Sequence, residues 1–189
     1  DARRAPLAGR CRASMCAWSS RAASCSCAAS SFFSEYWRRP DATAAAFTDD
    51  GFFKTGDVVA RDDDDGRAYR ILGRANVDIL KVLGYKVSAL QVEAALLEHD
   101  AVREAAVVGV DDGGAYGQTV AAAVVLRGGD AAAAASGDAL RNWLADERLA
   151  AYKVPRLWRF VDELPRNAMG KVSKRDVAAL FGSNDTRAA

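Results

Sequence analysis

Apolar and polar positions along the chain form short alternating blocks, which predict both strands and helices. Two apolar stretches, 52–60 and 67–72, flank four consecutive aspartates and a glycine, a pattern typical of a β-hairpin. Turn residues between shorter apolar runs at 73–87 predict a second, smaller hairpin. Because 120–126 is almost entirely apolar, we expect it to be a strand buried on both faces. Two further strands are predicted at 102–110 and 157–161.

A helix is predicted after Ser88, because Ser88 and Gln91 have the spacing of a capping box. Leu90, Ala94 and Leu97 fall on one face of this helix, and we expect that face to be buried.

Three other helices are predicted from proline, serine and apolar spacing. They cover residues 40–47, 138–149 with Leu140, Trp143 and Leu144 facing inward, and a last helix opened by Ser173 that buries Val177, Leu180 and Phe181. Together the elements predict an α+β fold in which helices pack on a small sheet.

Composition excludes several function classes. The chain carries 26 Lys and Arg against 25 Asp and Glu, so its net charge of +1 argues against a nucleic-acid partner bound through bulk charge. No apolar run is long enough for a transmembrane segment. A Ser-His-Asp triad would depend on the single histidine, His99, which follows a helix and needs no catalytic role there.

The first 31 residues differ from the rest, since they hold all four cysteines and only one acid. The cysteine spacing does not suit a zinc site, a disulfide framework would not reach the rest of the chain, and an Arg- and Ser-rich stretch is also typical of a transit peptide. The preferred interpretation of residues 1–30 is a disordered or wrongly joined segment. No metal site is predicted, because the aspartates at 62–65 lack the spacing of a calcium loop.

Three strings place polar groups on glycine-containing turns beside apolar strands: 51–57, 73–85 and 165–171. The carboxylate of Asp57 can accept hydrogen bonds from two hydroxyls, Arg74 offers a fixed charged fork, and Lys171 offers a compact charge on a flexible loop. Taken singly, Asp57 is better explained as a hairpin acid, Arg74 as a surface arginine and Lys171 as a solvated lysine.

The order of these strings resembles the adenylate-forming superfamily of acyl-CoA synthetases, luciferases and adenylation domains. The resemblance covers residues 31–181. It is carried by Glu35-Tyr-Trp-x-x-Pro40, Lys54-Thr-Gly-Asp57, Gly73-Arg74 and Pro165-Arg-Asn-x-x-Gly-Lys171, which occur in the family's order.

Finer detail resembles the malonyl-CoA synthetases of eukaryotes. The matching stretches are Arg74-x-x-Val-Asp-Ile-Leu-Lys81, the run from Gly84 to Glu93, and Ala151-Tyr-Lys-Val-Pro155. A fatty or aromatic acid–CoA ligase of the same superfamily, or a truncated lid module without activity, are the alternatives.

The resemblance implies a two-step ligase that uses ATP, Mg²⁺ and coenzyme A to join a carboxylate, such as malonate, to the thiol of CoA. It implies that residues 31–73 end the large AMP-binding domain as a short hairpin remnant, that 74–182 form the small C-terminal lid, and that 183–189 are a tail. The phosphate-binding loop and the acyl pocket would lie upstream of residue 31, so we expect the isolated chain not to form an adenylate.

The resemblance also implies roles for single residues. Asp57 and Arg74 would bind ATP or AMP at the ribose and phosphate, and Lys171 would be the catalytic lysine of the first step, stabilising charge as the carboxylate attacks the α-phosphate.

On the coenzyme A side, Gly84 would lie beside the pantetheine, with Lys86 near a phosphate. Asn76 would be the hinge between the domains. An intracellular location is expected, which can be mitochondrial, plastid or cytosolic.

Overall fold

The structure, a computed structural model, describes residues 10–15, 22–28, 32–61, 69–111, 117–128, 135–146 and 148–182. The chain divides into two compact units, Asp1–Asn76 and Val77–Ala189. Both are built from short strands with few helices, and the predicted α+β class is confirmed.

The first unit is a four-stranded antiparallel sheet in the order β1-β2-β3-β4. Its elements are β1 (Arg10–Met15), β2 (Ala22–Ala28), α1 (Pro40–Ala46), β3 (Phe53–Arg61) and β4 (Tyr69–Arg74). The predicted hairpin is therefore present as β3 and β4. The four aspartates of its turn lie outside the described residues.

The prediction of a disordered head is wrong for residues 10–15 and 22–28, which form β1 and β2. β2 pairs with β3, and the Thr55 hydroxyl donates to the carbonyl of Cys25 at 3.1 Å. Backbone pairing along a sheet edge does not require the alternating apolar pattern on which the prediction relied. The remaining residues of 1–30 lie outside the described part of the chain, and the idea of a wrong join stays a prediction.

The second unit packs helices on both faces of a three-stranded sheet. Its elements are β5 (Ile79–Val82), β6 (Tyr85–Ser88), α2 (Ala89–Leu97), β7 (Val102–Asp111), β8 (Gln118–Leu126), α3 (Gly137–Ala145), a 3₁₀ turn (Ala151–Lys153), β9 (Leu157–Phe160) and α4 (Lys174–Ala179). β8 lies in the centre, antiparallel to β7 and parallel to β9. β5 and β6 form the predicted second hairpin.

The central strand β8 is buried on both faces, as its apolar run predicts. Val120, Ala122 and Val124 join a core with α2 and α3, whereas the alternate residues of β8 join a second core that includes Val177 of α4. The period-2 geometry of a strand separates these two sets of side chains.

Helix α2 begins as predicted but buries a different face. The Ser88 hydroxyl accepts a hydrogen bond from the backbone nitrogen of Gln91 at 3.1 Å. Val92 and Leu96 are fully buried, whereas Leu90 and Leu97 are exposed, so the predicted buried face is wrong. The helix carries two apolar stripes, and its packing on β7 decides which one is covered.

The other predicted helices are present with shorter bounds. In α3, Leu140 and Leu144 are fully buried. Ser173 caps α4 as predicted, because its hydroxyl accepts a hydrogen bond from the backbone nitrogen of Asp176. Val177 is fully buried, so the inward face of α4 is the predicted one.

Candidate functional site

Asp57 and Arg74 lie directly opposite each other on β3 and β4. The Arg74 Nε atom is 2.9 Å from Asp57 Oδ1, and the backbone nitrogen of Ala75 donates to the carbonyl of Gly56 at 2.9 Å. The Arg74 side chain is 62% exposed and that of Asp57 29% exposed. An ion pair this accessible contributes about 0–1 kcal/mol. Both groups are therefore available to an incoming polar ligand at little cost.

Asn76 is exposed and is the last residue of the first unit. Among the described residues other than glycine, only Arg38 and Leu83 have a positive φ. Asn76 therefore does not use the left-handed conformation that asparagine tolerates.

Lys171 lies on a tight loop built around one side chain, that of Asn167. Its Oδ1 accepts hydrogen bonds from the backbone nitrogens of Met169 and Lys171, both at 3.0 Å. The backbone nitrogen of Asn167 donates to the carbonyl of Lys171 at 2.8 Å. Gly170 has a φ of 78°, which closes the turn and which a side chain would strain.

The ammonium group of Lys171 projects from this ordered loop into solvent. The residue is exposed, and its side chain has no hydrogen-bond or ion-pair partner among the described residues. The neighbouring Arg166 instead binds within the unit, to the carbonyl of Gly170 at 2.9 Å and to Glu104. The loop thus combines a fixed backbone with one cation that can reach a phosphate.

Gly84 lies in the two-residue turn between β5 and β6. Leu83 and Gly84 have φ of 51° and 79°, the left-handed pair of a type I′ turn. A Cβ added to Gly84 would meet nothing within 4 Å, so open space lies beside its backbone. Lys86 is exposed and lies directly opposite Lys81 on the neighbouring strand, which gives the hairpin a positive edge.

Three residues beside this turn were not predicted as site residues. The ring of Tyr85 stacks on that of Tyr152 with centroids 4.5 Å apart. Lys153 Nζ donates to Gln91 Oε1 at 2.9 Å, and burial lowers the pKa of its amine. Tyr152 and Lys153 both lie in the stretch 151–155, so the Tyr-Lys pair in that stretch was the sequence signal that could have identified them.

A cavity of about 70 Å³ opens on the same side of the hairpin, lined by Val82, Leu83, Gln118, Thr119, Val120 and Tyr152 among others. Gln118 Oε1 accepts a hydrogen bond from the backbone nitrogen of Lys81 at 3.0 Å. Val82 and Gly117 form an isolated antiparallel bridge. The hairpin that presents Gly84 is therefore held by the backbone of Gly117, just before β8, and by the side chain of Gln118, the first residue of β8.

Comparison with known proteins identifies the second unit. The family description "AMP-binding enzyme C-terminal domain" matches residues 91–171, a range that ends on the candidate lysine. The chain contains an AMP-binding enzyme C-terminal domain. Gly84 and Lys86 lie just before the matched range, and Asp57, Arg74 and Asn76 lie in the first unit.

Similar curated proteins are CoA ligases. The chain is 47% identical over 154 residues to the probable CoA ligase CCL8 of Humulus lupulus, covering 78% of this chain and 25% of that protein. It is 50% identical over 147 residues to the mitochondrial malonate–CoA ligase ACSF3 of Bos taurus, covering 78% and 24% respectively. The chain thus spans about a quarter of the length of these relatives.

Solved structures agree with the fold of the AMP-binding C-terminal domain and its preceding sheet. ATP-bound MatB from Rhodopseudomonas palustris superposes with a TM-score of 0.78 at 30% identity, over 93% of this chain and 34% of that one. The amide bond synthetase McbA from Marinactinospora thermotolerans gives 0.75 at 35% identity, over 86% and 31%.

Two negative observations accompany these similarities. No helix among the described residues is long and apolar enough to span a membrane. Within that same part of the chain, no three His, Cys, Asp or Glu side chains come together in a way that would hold a metal ion.

Proposed function

We propose that this chain is the C-terminal part of an ATP-dependent acid–CoA ligase that acts on malonate. In the first step the carboxylate attacks the α-phosphate of ATP, forming an acyl-adenylate and releasing pyrophosphate. In the second step the thiol of CoA attacks the acyl carbon and releases AMP. The observation that carries the proposal is the exposed Lys171 on an ordered loop at the end of an AMP-binding C-terminal domain.

Lys171 supplies positive charge to the first step. Its ammonium group bridges the attacking carboxylate and the α-phosphate, so it stabilises the charge that develops between them. The backbone around Lys171 is fixed by Asn167, which limits the reorganisation needed when ATP arrives.

Asp57 and Arg74 bind the nucleotide. A carboxylate accepts hydrogen bonds from both hydroxyls of a ribose, and the guanidinium of Arg74 pairs with a phosphate or the ribose. Their exposed ion pair supports this role because the two groups are already side by side and weakly held.

Gly84 and Lys86 serve the second step. The open space beside Gly84 allows the pantetheine arm of CoA to pass close to the backbone, and Lys86 offers charge to a CoA phosphate. Asn76 is proposed as the hinge between the domains, because the division of the chain into units follows it directly.

The finer assignments are parts of the same proposal. Malonate as the acid is supported by the similarity to the malonate–CoA ligase of cattle, which is a mitochondrial protein by its name. Mg²⁺ is proposed to arrive with the phosphates of ATP, because this ion keeps several of its waters and is commonly bound through substrate phosphates. For this protein an intracellular compartment, whether mitochondrial, plastid or cytosolic, remains a prediction.

The test uses a hybrid enzyme in which residues 32–182 replace the corresponding segment of the cattle malonate–CoA ligase. ATP–pyrophosphate exchange with malonate measures the first step, and release of AMP from preformed malonyl-adenylate and CoA measures the second. Lys171→Ala should lower the first rate about 10²–10³-fold, the loss typical of one transition-state charge contact, and leave the second within a few-fold.

Met169→Ala is the matched control, since Met169 is an exposed, uncharged residue of the same loop. It should leave both rates unchanged. A Lys171→Ala hybrid that retains full exchange would refute the role of Lys171. The acyl pocket of the hybrid comes from the cattle enzyme, so the acid substrate is tested on the complete protein instead, assayed with malonate and with a fatty or aromatic acid. Activity with a fatty or aromatic acid and not with malonate would refute the proposed substrate.

A further inference from the structure

A largely buried charged cluster lies at the start of α4, directly after the Lys171 loop in the chain, and takes no part in the proposed chemistry. Lys174, three residues after Lys171, directs its ammonium group inward from α4, and its side chain is 18% exposed. The group contacts the carboxylate of Glu93 on α2 and donates to the carbonyl of Val107 on β7 at 2.8 Å. Asp78, at the start of the second unit, has its Oδ1 atom 4.0 Å from the same nitrogen.

Glu93 completes the cluster from the opposite side. Its Oε1 atom also accepts a hydrogen bond from the backbone nitrogen of Val107 at 2.7 Å. Burial raises the pKa of Glu93 from its ordinary value of 4.5, even though Lys174 and the Val107 amide lower it. Such a desolvated pair is costly to build and is weak support for stability alone.

The position of Lys174 gives this cluster a specific consequence. The loop 165–173 is closed at its base by the backbone nitrogen of Ser173, which donates to the carbonyl of Pro165 at 2.9 Å. Lys174 follows at once and is the first residue of α4, a helix of only six residues with Val177 as its one buried side chain. A helix this short depends on contacts with the rest of the domain, rather than on its own hydrogen bonds, to hold its position.

We propose that Lys174 is the positioning residue of the Lys171 loop, its buried contacts with Glu93 and Val107 fixing where the loop leaves the domain. The catalytic and positioning lysines thus have opposite environments: Lys171 is exposed and free to reach a ligand, and Lys174 is enclosed. This inference rests on the proposed function only in giving the loop a catalytic purpose. The contacts of Lys174 themselves lie within the second unit and do not depend on that function.

Amide hydrogen exchange of the 189-residue chain tests the proposal without any activity. Loop reporters are the amides of Asn167, Met169, Gly170 and Lys171, which are hydrogen-bonded within the loop. Lys174→Met keeps the buried methylenes and removes the charged donor. Exchange at the loop reporters should rise about tenfold or more, the factor for a lost hydrogen bond to a charged group. Exchange of the β8 amides should rise much less.

Two further variants make the outcome decisive. Arg175→Met is the matched control on the next, exposed residue, and its exchange should equal that of the wild type. Glu93→Gln keeps an acceptor but removes its charge, so about half the effect in free energy, or about threefold faster loop exchange, is expected. Glu93→Gln alone decides the matter if Lys174→Met does not fold. Unchanged loop exchange, or an equal rise in the loop and in β8, would overturn the proposal.

The hybrid enzyme adds a second readout. Lys174→Met should lower ATP–pyrophosphate exchange by more than it lowers the release of AMP from preformed adenylate, because only the first step uses Lys171. If Lys171→Ala leaves the hybrid fully active, the proposed function fails, but the amide hydrogen exchange result for Lys174 still stands. An equal loss of both half-reactions in Lys174→Met would contradict a positioning role.

Discussion

Gly117 forms a backbone bridge to Val82 of the hairpin that presents Gly84, and its replacement by alanine is expected to loosen that hairpin. Gly117 has a φ of 90°, and a Cβ built there would lie 2.7 Å from the backbone oxygen of Lys81. That contact is with backbone, so a flexible side chain cannot move aside to relieve it. Either β5 shifts or the strained backbone of residue 117 changes.

The expected loss of stability has two contributions, the backbone strain at residue 117 and the loss of the bridge to Val82. A left-handed conformation costs an L-residue about 1–2 kcal/mol, and loss of the Val82–Gly117 bridge costs about 1 kcal/mol more. Gly117→Ala should therefore destabilise the second unit by about 2–3 kcal/mol. At about 4–8 °C per kcal/mol for a domain of this size, the melting temperature should fall by roughly 10–20 °C.

Urea denaturation followed by circular dichroism measures the change, and amide exchange at β5 and β6 locates it. Gly128→Ala is the control, because Gly128 has neither a positive φ nor an atom within 4 Å of an added Cβ. It should be neutral or stabilise by up to about 1 kcal/mol. If the free energies of unfolding of the two variants differ by less than about 0.5 kcal/mol, the backbone around Gly117 accommodates a Cβ and the prediction is refuted.

Two other predictions concern the second unit. Leu96→Ala should lower the free energy of unfolding by about 2–5 kcal/mol, because Leu96 is fully buried. Leu97→Ala, on the exposed face, should lower it by less than about 1 kcal/mol. Equal losses in the two variants would show that the buried face of α2 is wrongly assigned. Glu93 has a raised pKa in the folded state, so the stability that its protonation contributes is full below pH 4.5 and is lost as pH rises through the raised pKa. Denaturation at a series of pH values should show this fall in the wild type relative to Glu93→Gln, and parallel curves for the two proteins would contradict it.

Local sequence signals were sufficient for much of the fold. The hairpins were predicted from their turn residues, and the starts of α2 and α4 from Ser88 and Ser173, because turns and caps are contacts between residues a few positions apart. The apolar run 120–126 indicated a strand buried on both faces, because both sets of alternating side chains in it are apolar. The order of the four motifs that begin at Glu35, Lys54, Gly73 and Pro165 was sufficient to indicate the family, because each motif is a short stretch that can be recognised without the fold.

Other features depend on residues far apart in the chain. The pairing of β2 with β3 leaves no pattern in the apolar positions of the head, and so disorder was predicted there. For α2, the sequence offers two apolar stripes, and only the packing against β7 selects the one containing Val92 and Leu96. A helical pattern defines which residues share a face, but the partner defines which face is buried.

The candidate site divides in the same way. The sequence by itself determined the chemical groups, since Asp57, Arg74, Gly84, Lys86 and Lys171 stand in recognisable strings. Only the tertiary structure decided that Asp57 pairs with Arg74 across two strands. It also decided that Lys174, next to the loop of Lys171, contacts Glu93, 81 residues earlier in the chain. Buried polar groups must find partners wherever the fold brings them, and sequence spacing does not reveal that distance in advance.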